Sequence, residues 1–132
     1  MMIQRVGTVS LFVEDQDRAK KFYVDTLGFE LRTDTEMYPG AKMRWIAVAP
    51  KGAETELILY PIDENWSHYA PVVGKTQAIT LQVTDIDKLY EDLKAKGVTF
   101  FGEPETQFWG RFVVMQDSEG NGIMLVQLAE SE

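Results

Sequence analysis

Few residues of this 132-residue chain could do covalent chemistry. Its one histidine, His68, stands beside Ser67 in Asn65-Trp66-Ser67-His68-Tyr69. Adjacent side chains seldom face one another, no Gly-x-Ser-x-Gly elbow is present, and no orienting acid can be assigned. His68 is then a base, a ligand or a solvated loop residue. The absence of cysteine removes thiolate nucleophiles, thiolate zinc sites and disulfides. The run Asp117-Ser118-Glu119-Gly120-Asn121-Gly122 imitates the first half of a calcium loop, with oxygens at positions one, three and five and glycine at six. Position twelve, where a bidentate glutamate closes such a loop, is Leu128. The run is expected to be a hairpin turn, with Gly120, Asn121 and Gly122 supplying positive φ. What remains suits recognition of a small molecule: hydroxyls, an amide and one carboxylate set among apolar chains, namely Thr8, Phe12, Glu56, Tyr60, Thr80, Gln82, Trp109 and Met124.

The elements that would position these residues are written twice. Thr8 to Asp15 alternates apolar and polar residues and ends in an aspartate, and Ala78 to Asp85 does the same seventy positions later. Period two predicts a strand with Val9, Leu11 and Val13, or Ile79, Leu81 and Val83, on its buried side. Thr8, Ser10 and Phe12, and likewise Ala78, Thr80 and Gln82, then face the other way. Asp15 and Asp85 are placed to cap the helices that follow, whose apolar positions are Ala19, Phe22, Tyr23 and Leu27 in one and Leu89, Tyr90 and Leu93 in the other. Gly28 and Gly97 stop them, and a strand is expected at once after each. Further strands are predicted over 42–49, 55–60, 110–116 and 122–128, with Glu56, Ile58 and Tyr60 sharing one face and Met124, Val126 and Leu128 another. Glu56 would line a cavity or pair with Arg44 across the hairpin. The expected fold is α+β: two βαβββ modules, 3–60 and 76–129, joined by a linker over 61–75, in a single domain (1–132) whose strands form one concave mixed sheet.

Composition narrows the partners. Twenty-one acids against thirteen bases give a net charge of -8 and a pI near 4.6, a poor match for nucleic acid or an anionic membrane. No signal peptide and no bilayer-spanning apolar run are visible, so a cytoplasmic location is expected.

The stretches VSLFVEDQDRAKKFYVDTLGFEL, LQVTDIDKLYEDLKAKGV and DSEGNGIMLVQ resemble the vicinal oxygen chelate superfamily, which includes glyoxalase I, extradiol dioxygenases and bleomycin-binding proteins. The resemblance spans residues 3 to 129 and implies the βαβββ fold. Enzymes of that superfamily bind a divalent metal at positions that carry over to Thr8, Ala78, Glu56 and Met124. Only Glu56 keeps a suitable donor, since alanine has none and a thioether is too soft to replace a carboxylate. The expectation is a metal-free, cofactor-free homodimer that binds a small organic molecule, with Trp66, His68 and Tyr69 near the subunit contact. Two alternatives stand beside it: a metal-dependent lyase, isomerase or dioxygenase with an unconventional site built from Glu56, Gln82, Thr8 and His68, and a regulatory or partner-binding module.

Overall fold

A computed structural model of the chain describes residues 2–62, 67–75 and 79–129. The chain divides into two compact units, 1–73 and 74–132, each built, among the described residues, on a four-stranded mixed sheet with one α-helix. The class is α+β, as expected. The expected positions Trp66 and Ala78 and the Tyr69 side chain lie outside the described residues.

In the first unit β1 (Thr8–Val13) leads to α1 (Gln16–Lys21), which runs on as one π turn, Phe22–Thr26. The strands β2 (Glu30–Glu36), β3 (Arg44–Ala49) and β4 (Glu56–Pro61) follow. Asp15 caps α1, its Oδ1 accepting from the Arg18 amide at 3.0 Å. At the other end Gly28 takes φ +80 and the Phe29 amide returns to the Tyr23 carbonyl. The sheet order is β1-β4-β3-β2, with β1 parallel to β4 and the remaining pairs antiparallel. The core lies on the α1 side, where Leu11, Val13, Ile46, Val48 and Leu59 are buried with Ala19, Tyr23 and Phe29. Val9 shares their parity but is exposed.

A 3₁₀ helix, Ser67–Val72, occupies part of the predicted linker. The second unit then repeats the plan with β5 (Ile79–Gln82), α2 (Ile86–Ala95), β6 (Glu105–Gln107), β7 (Gly110–Gln116) and β8 (Gly122–Leu128), in sheet order β5-β8-β7-β6. Asp85 caps α2 through the Lys88 amide, and Gly97 at φ +90 ends it. The strand expected immediately after Gly97 is reduced to a single bridge, Phe100 to Met115, before β6 begins. Phe100 instead packs its ring on Tyr90 of α2, centroids 4.7 Å apart.

The β7–β8 turn corrects one expectation. Only Gly120 has positive φ (+91); Asn121 and Gly122 do not. Asn121 is buried, its amide and side chain bound to both oxygens of buried Asp117, whose Oδ1 also accepts from Glu119. The carboxylate that imitates a calcium ligand is thus consumed in folding its own turn.

Two links hold α1 to its sheet. Arg44 donates to Asp17 of α1 at 2.7 Å and to Asp34 of β2 at 2.9 Å, and Lys20 reaches Asp34 at 2.7 Å. Arg44 is therefore engaged away from Glu56, contrary to the pairing weighed from the sequence. The second link is Gln16. Among the described strand residues β3 and β4 pair only at Ala47–Ile58 and Val48–Leu57. Beyond that point the Gln16 side chain enters, donating to the carbonyls of Arg44 (2.6 Å) and Leu59 (2.9 Å) and accepting from the Arg44 amide (3.1 Å).

Asp34 yields a pH test. Partial burial alone would raise its pKa, but hydrogen bonds from Lys20 and Arg44 outweigh that and hold it below the ordinary 3.8. A depressed carboxyl contributes stability above its unfolded pKa and loses it as pH falls through the folded value. Asp34→Asn should cost about 1 kcal/mol at pH 7. That gap should close as the pH falls below 3.8, measured by urea unfolding of both proteins. A gap that is constant with pH would contradict this role.

Candidate functional site

Register turns the helix-free face of the first sheet into three rows. Phe12 is level with Tyr60, Ser10 with Ile58, and Thr8 with Glu56. Ala47 is level with Ile58, which puts Trp45 and Ala49 on the same face two residues to either side. Thr35, Thr33 and Glu30 complete the rows opposite Trp45, Ala47 and Ala49. One end of the face is therefore aromatic (Phe12, Tyr60, Trp45 and Thr35), the middle is short-chained (Ser10, Ile58, Ala47 and Thr33), and the far end is acidic (Thr8, Glu56, Ala49 and Glu30). Of these twelve only Ile58, Ala47 and Ala49 are buried; the others keep some exposure.

The aromatic row is geometrically ordered. Tyr60 stands edge-on to Phe12 at 6.0 Å and 79°, and to Trp45 at 6.3 Å and 90°. Edge-to-face contact is a favoured arrangement of aromatic rings and fixes the three relative to one another. The position of Trp45 follows from β3 parting from β4, where Gln16 takes over the backbone bonds.

The acidic end is tied by Arg32, a residue that sequence reasoning missed. It falls at the β2 irregularity between Leu31 and Thr33, where alternation gives no guide to facing. Its guanidinium reaches Glu56 Oε2 at 3.3 Å and the carbonyls of Pro50 (3.3 Å) and Ala53 (3.1 Å). Its Nε lies 2.6 Å from Glu30 Oε1, an ion pair without hydrogen-bond alignment. Two carboxylates thus share one guanidinium.

The second sheet places Thr80, Gln82 and Met124 on its own helix-free face. Thr80 is level with Met124, and Gln82 with Val126 and, across β8, Phe112. Trp109 lies in the two-residue turn between β6 and β7, with its ring 5.4 Å from that of Phe112 and tilted by 33°. Phe108 beside it is 94% exposed. Thr80 and Gln82 are exposed and Met124 is half-buried. Phe112, a wall residue here, had no signal beyond its place in an alternating strand.

The metal positions implied by the resemblance do not fit a divalent ion. Thr8 offers a neutral hydroxyl, Glu56 is paired with Arg32, and Met124 offers a thioether. Among the described residues no three His, Cys, Asp or Glu gather as a candidate site. Register also fixes which positions correspond between the two units. Met124 is opposite Thr80, so its repeat counterpart is Ile58 opposite Ser10, whereas Glu56 corresponds to Gly122. His68 is exposed in the 3₁₀ helix.

Comparison with known proteins agrees with this architecture. The chain is 42% identical over 127 residues to the uncharacterized protein YetH of Bacillus subtilis (strain 168), covering 94% of this chain and 98% of that one. It is 38% identical to TnmS3, described as an antibiotic binding protein from Streptomyces sp. CB03234, with TM-score 0.82 and coverage of 98% and 99%. A superfamily member from Sphaerobacter thermophilus DSM 20745 shares 37% identity at TM-score 0.83, covering 96% and 99%. The family described as Glyoxalase/Bleomycin resistance protein/Dioxygenase superfamily matches residues 5–125. With its paired βαβββ units and these full-length likenesses, the chain belongs to the glyoxalase/bleomycin resistance protein/dioxygenase superfamily.

Proposed function

We propose that the protein binds a small organic molecule with a flat aromatic part, without a metal, on the helix-free face of its first sheet. The observation that carries this reading is the Phe12–Tyr60–Trp45 row beside a middle row of short side chains. Aromatic rings beside a row of short side chains suit a flat ligand, and the Thr8 and Ser10 hydroxyls can orient its polar groups. Thr80, Gln82, Met124 and Trp109 offer a second surface of related chemistry, in which the pliable thioether accepts varied shapes. The antibiotic binding role given to TnmS3, 38% identical across nearly the whole chain, supports the same role here. Metal-free binding is supported by the donor set: a hydroxyl, a guanidinium-paired carboxylate and a thioether cannot hold a divalent ion tightly.

The test combines two measurements on the full chain. Elemental analysis should find no stoichiometric Zn, Ni, Mn or Fe, and titration with 2-naphthol should quench tryptophan fluorescence saturably. Trp45→Leu and Tyr60→Leu should each weaken 2-naphthol binding by roughly three- to tenfold, the worth of one aromatic contact. One metal per chain that is lost in Glu56→Ala would overturn the reading, as would saturable binding that ignores both aromatic variants.

We also propose that the two units act as one domain and that two chains pair. The outer strands β1 and β2 of one sheet, and β5 and β6 of the other, are sheet edges, which proteins commonly cover by association. Light scattering at micromolar concentration should give twice the 15.0 kDa chain mass. A particle of one chain mass would contradict pairing.

A further inference from the structure

The first-sheet face is polarised along its strands, and this sets a length as well as a chemistry for its ligand. From the aromatic row to the acidic row is four residues along β1 or β4, about 13 Å at the rise of a strand. Between them lie Ser10, Ile58, Ala47 and Thr33, with no long side chain to interrupt a molecule laid across. At the acidic end two carboxylates face one guanidinium, which leaves one net negative charge. Arg32 cannot readily swing away to meet an anion, because its other donors are committed to the Pro50 and Ala53 carbonyls of the β3–β4 turn. Glu56 gives Arg32 one oxygen, Oε2, and its side chain is still 27% exposed, so the carboxylate is fixed yet reachable.

We propose that this face selects elongated ligands that carry a flat ring at one end and a protonated amine at the other, the ring against Phe12, Tyr60 and Trp45 and the amine on Glu56. The inference rests on the binding role assigned above and adds the charge, the spacing and a positioning residue. Arg32 does not touch the ligand in this account. It holds Glu56 at a set distance from the rings, so the amine is recognised only at the matching length. An anionic ligand would meet Glu30 and Glu56 with the one cation already spent, and a neutral ligand would gain nothing from them.

The test uses two probe families on the full chain: 2-naphthyl-alkylammonium ions whose chains put the nitrogen at graded distances from the ring, and their neutral N-acetyl counterparts. Affinities come from tryptophan quenching and calorimetry. The ammonium should bind about fivefold or more tighter than its N-acetyl partner only where the reach approaches the ~13 Å separation of the rows. Glu56→Gln should abolish that preference by lowering ammonium affinity to that of the N-acetyl partner, and a far-UV circular dichroism spectrum matching the parent protein's shows that the variant is folded. Arg32→Met should flatten the length optimum without lowering ammonium affinity, since it frees Glu56 and removes a repelling charge. A structural role for Arg32 alone would instead weaken both series at every length. If the N-acetyl probes bind in a Trp45-dependent way but the ammonium series shows no optimum, or keeps it in Glu56→Gln, this inference fails while the binding role stands. If neither series binds saturably, both fail.

Discussion

The helix-free face of the first sheet depends on the side chain of Gln16. At the end of the first sheet where the rings stand, β3 and β4 no longer bond to each other, and one amide satisfies two carbonyls and an N–H that the ladder leaves open. A buried backbone polar group left unpaired costs about 1–3 kcal/mol, so this substitution is what lets the strands part. The parting gives Trp45 and Tyr60 room to meet at a right angle. The same residue begins α1, one position after its Asp15 cap. The helix start, the strand separation and the aromatic row are therefore one construction.

The two units share this plan but not its chemistry. Where the first has Phe12, Tyr60 and Trp45, the repeat register puts Gln82, Val126 and Phe112 in the second. Where the first has Ser10, Ile58 and Ala47, the second has Thr80, Met124 and Val114. Only the first face runs from aromatic to acidic. In the second unit the α2 side carries the clearest ion pair instead, Arg111 on Asp87 at 2.9 Å. The two units share what folds each of them: the aspartate cap, the glycine stop and the buried alternation. The faces that do not contact the helices differ.

That difference also explains what could be read from the sequence. Caps at Asp15 and Asp85, stops at Gly28 and Gly97 and the alternation of β1, β4, β5 and β8 are local signals, and each lies where its pattern puts it. The facing of Glu56 and Tyr60 followed from parity alone. Arg32 was hidden because a strand irregularity breaks parity at that residue. Trp45 is not legible as core or wall, because its place beside Tyr60 depends on antiparallel register and on Gln16, whose side chain bonds the backbone of Arg44 twenty-eight positions away. The single bridge at Phe100 was misread as a strand because Val98, Thr99 and Phe100 have strand-like composition, while the ring contact with Tyr90 that fixes Phe100 is tertiary. Local grammar shows the scaffold; long-range register decides which side chains meet.

The central claim is that the ligand lies on the helix-free face of the first sheet, over the middle row. Methyl-labelled NMR of the protein titrated with 2-naphthol tests it directly, because neighbouring residues of β3 and β4 face opposite ways. Ring-current shifts should appear at the methyls of Ile58, Ala47 and Thr33, which share the row, and should spare those of Leu59 and Val48 beneath α1. Shifts centred on Leu59 and Val48, or confined to methyls of the second unit, would contradict the account.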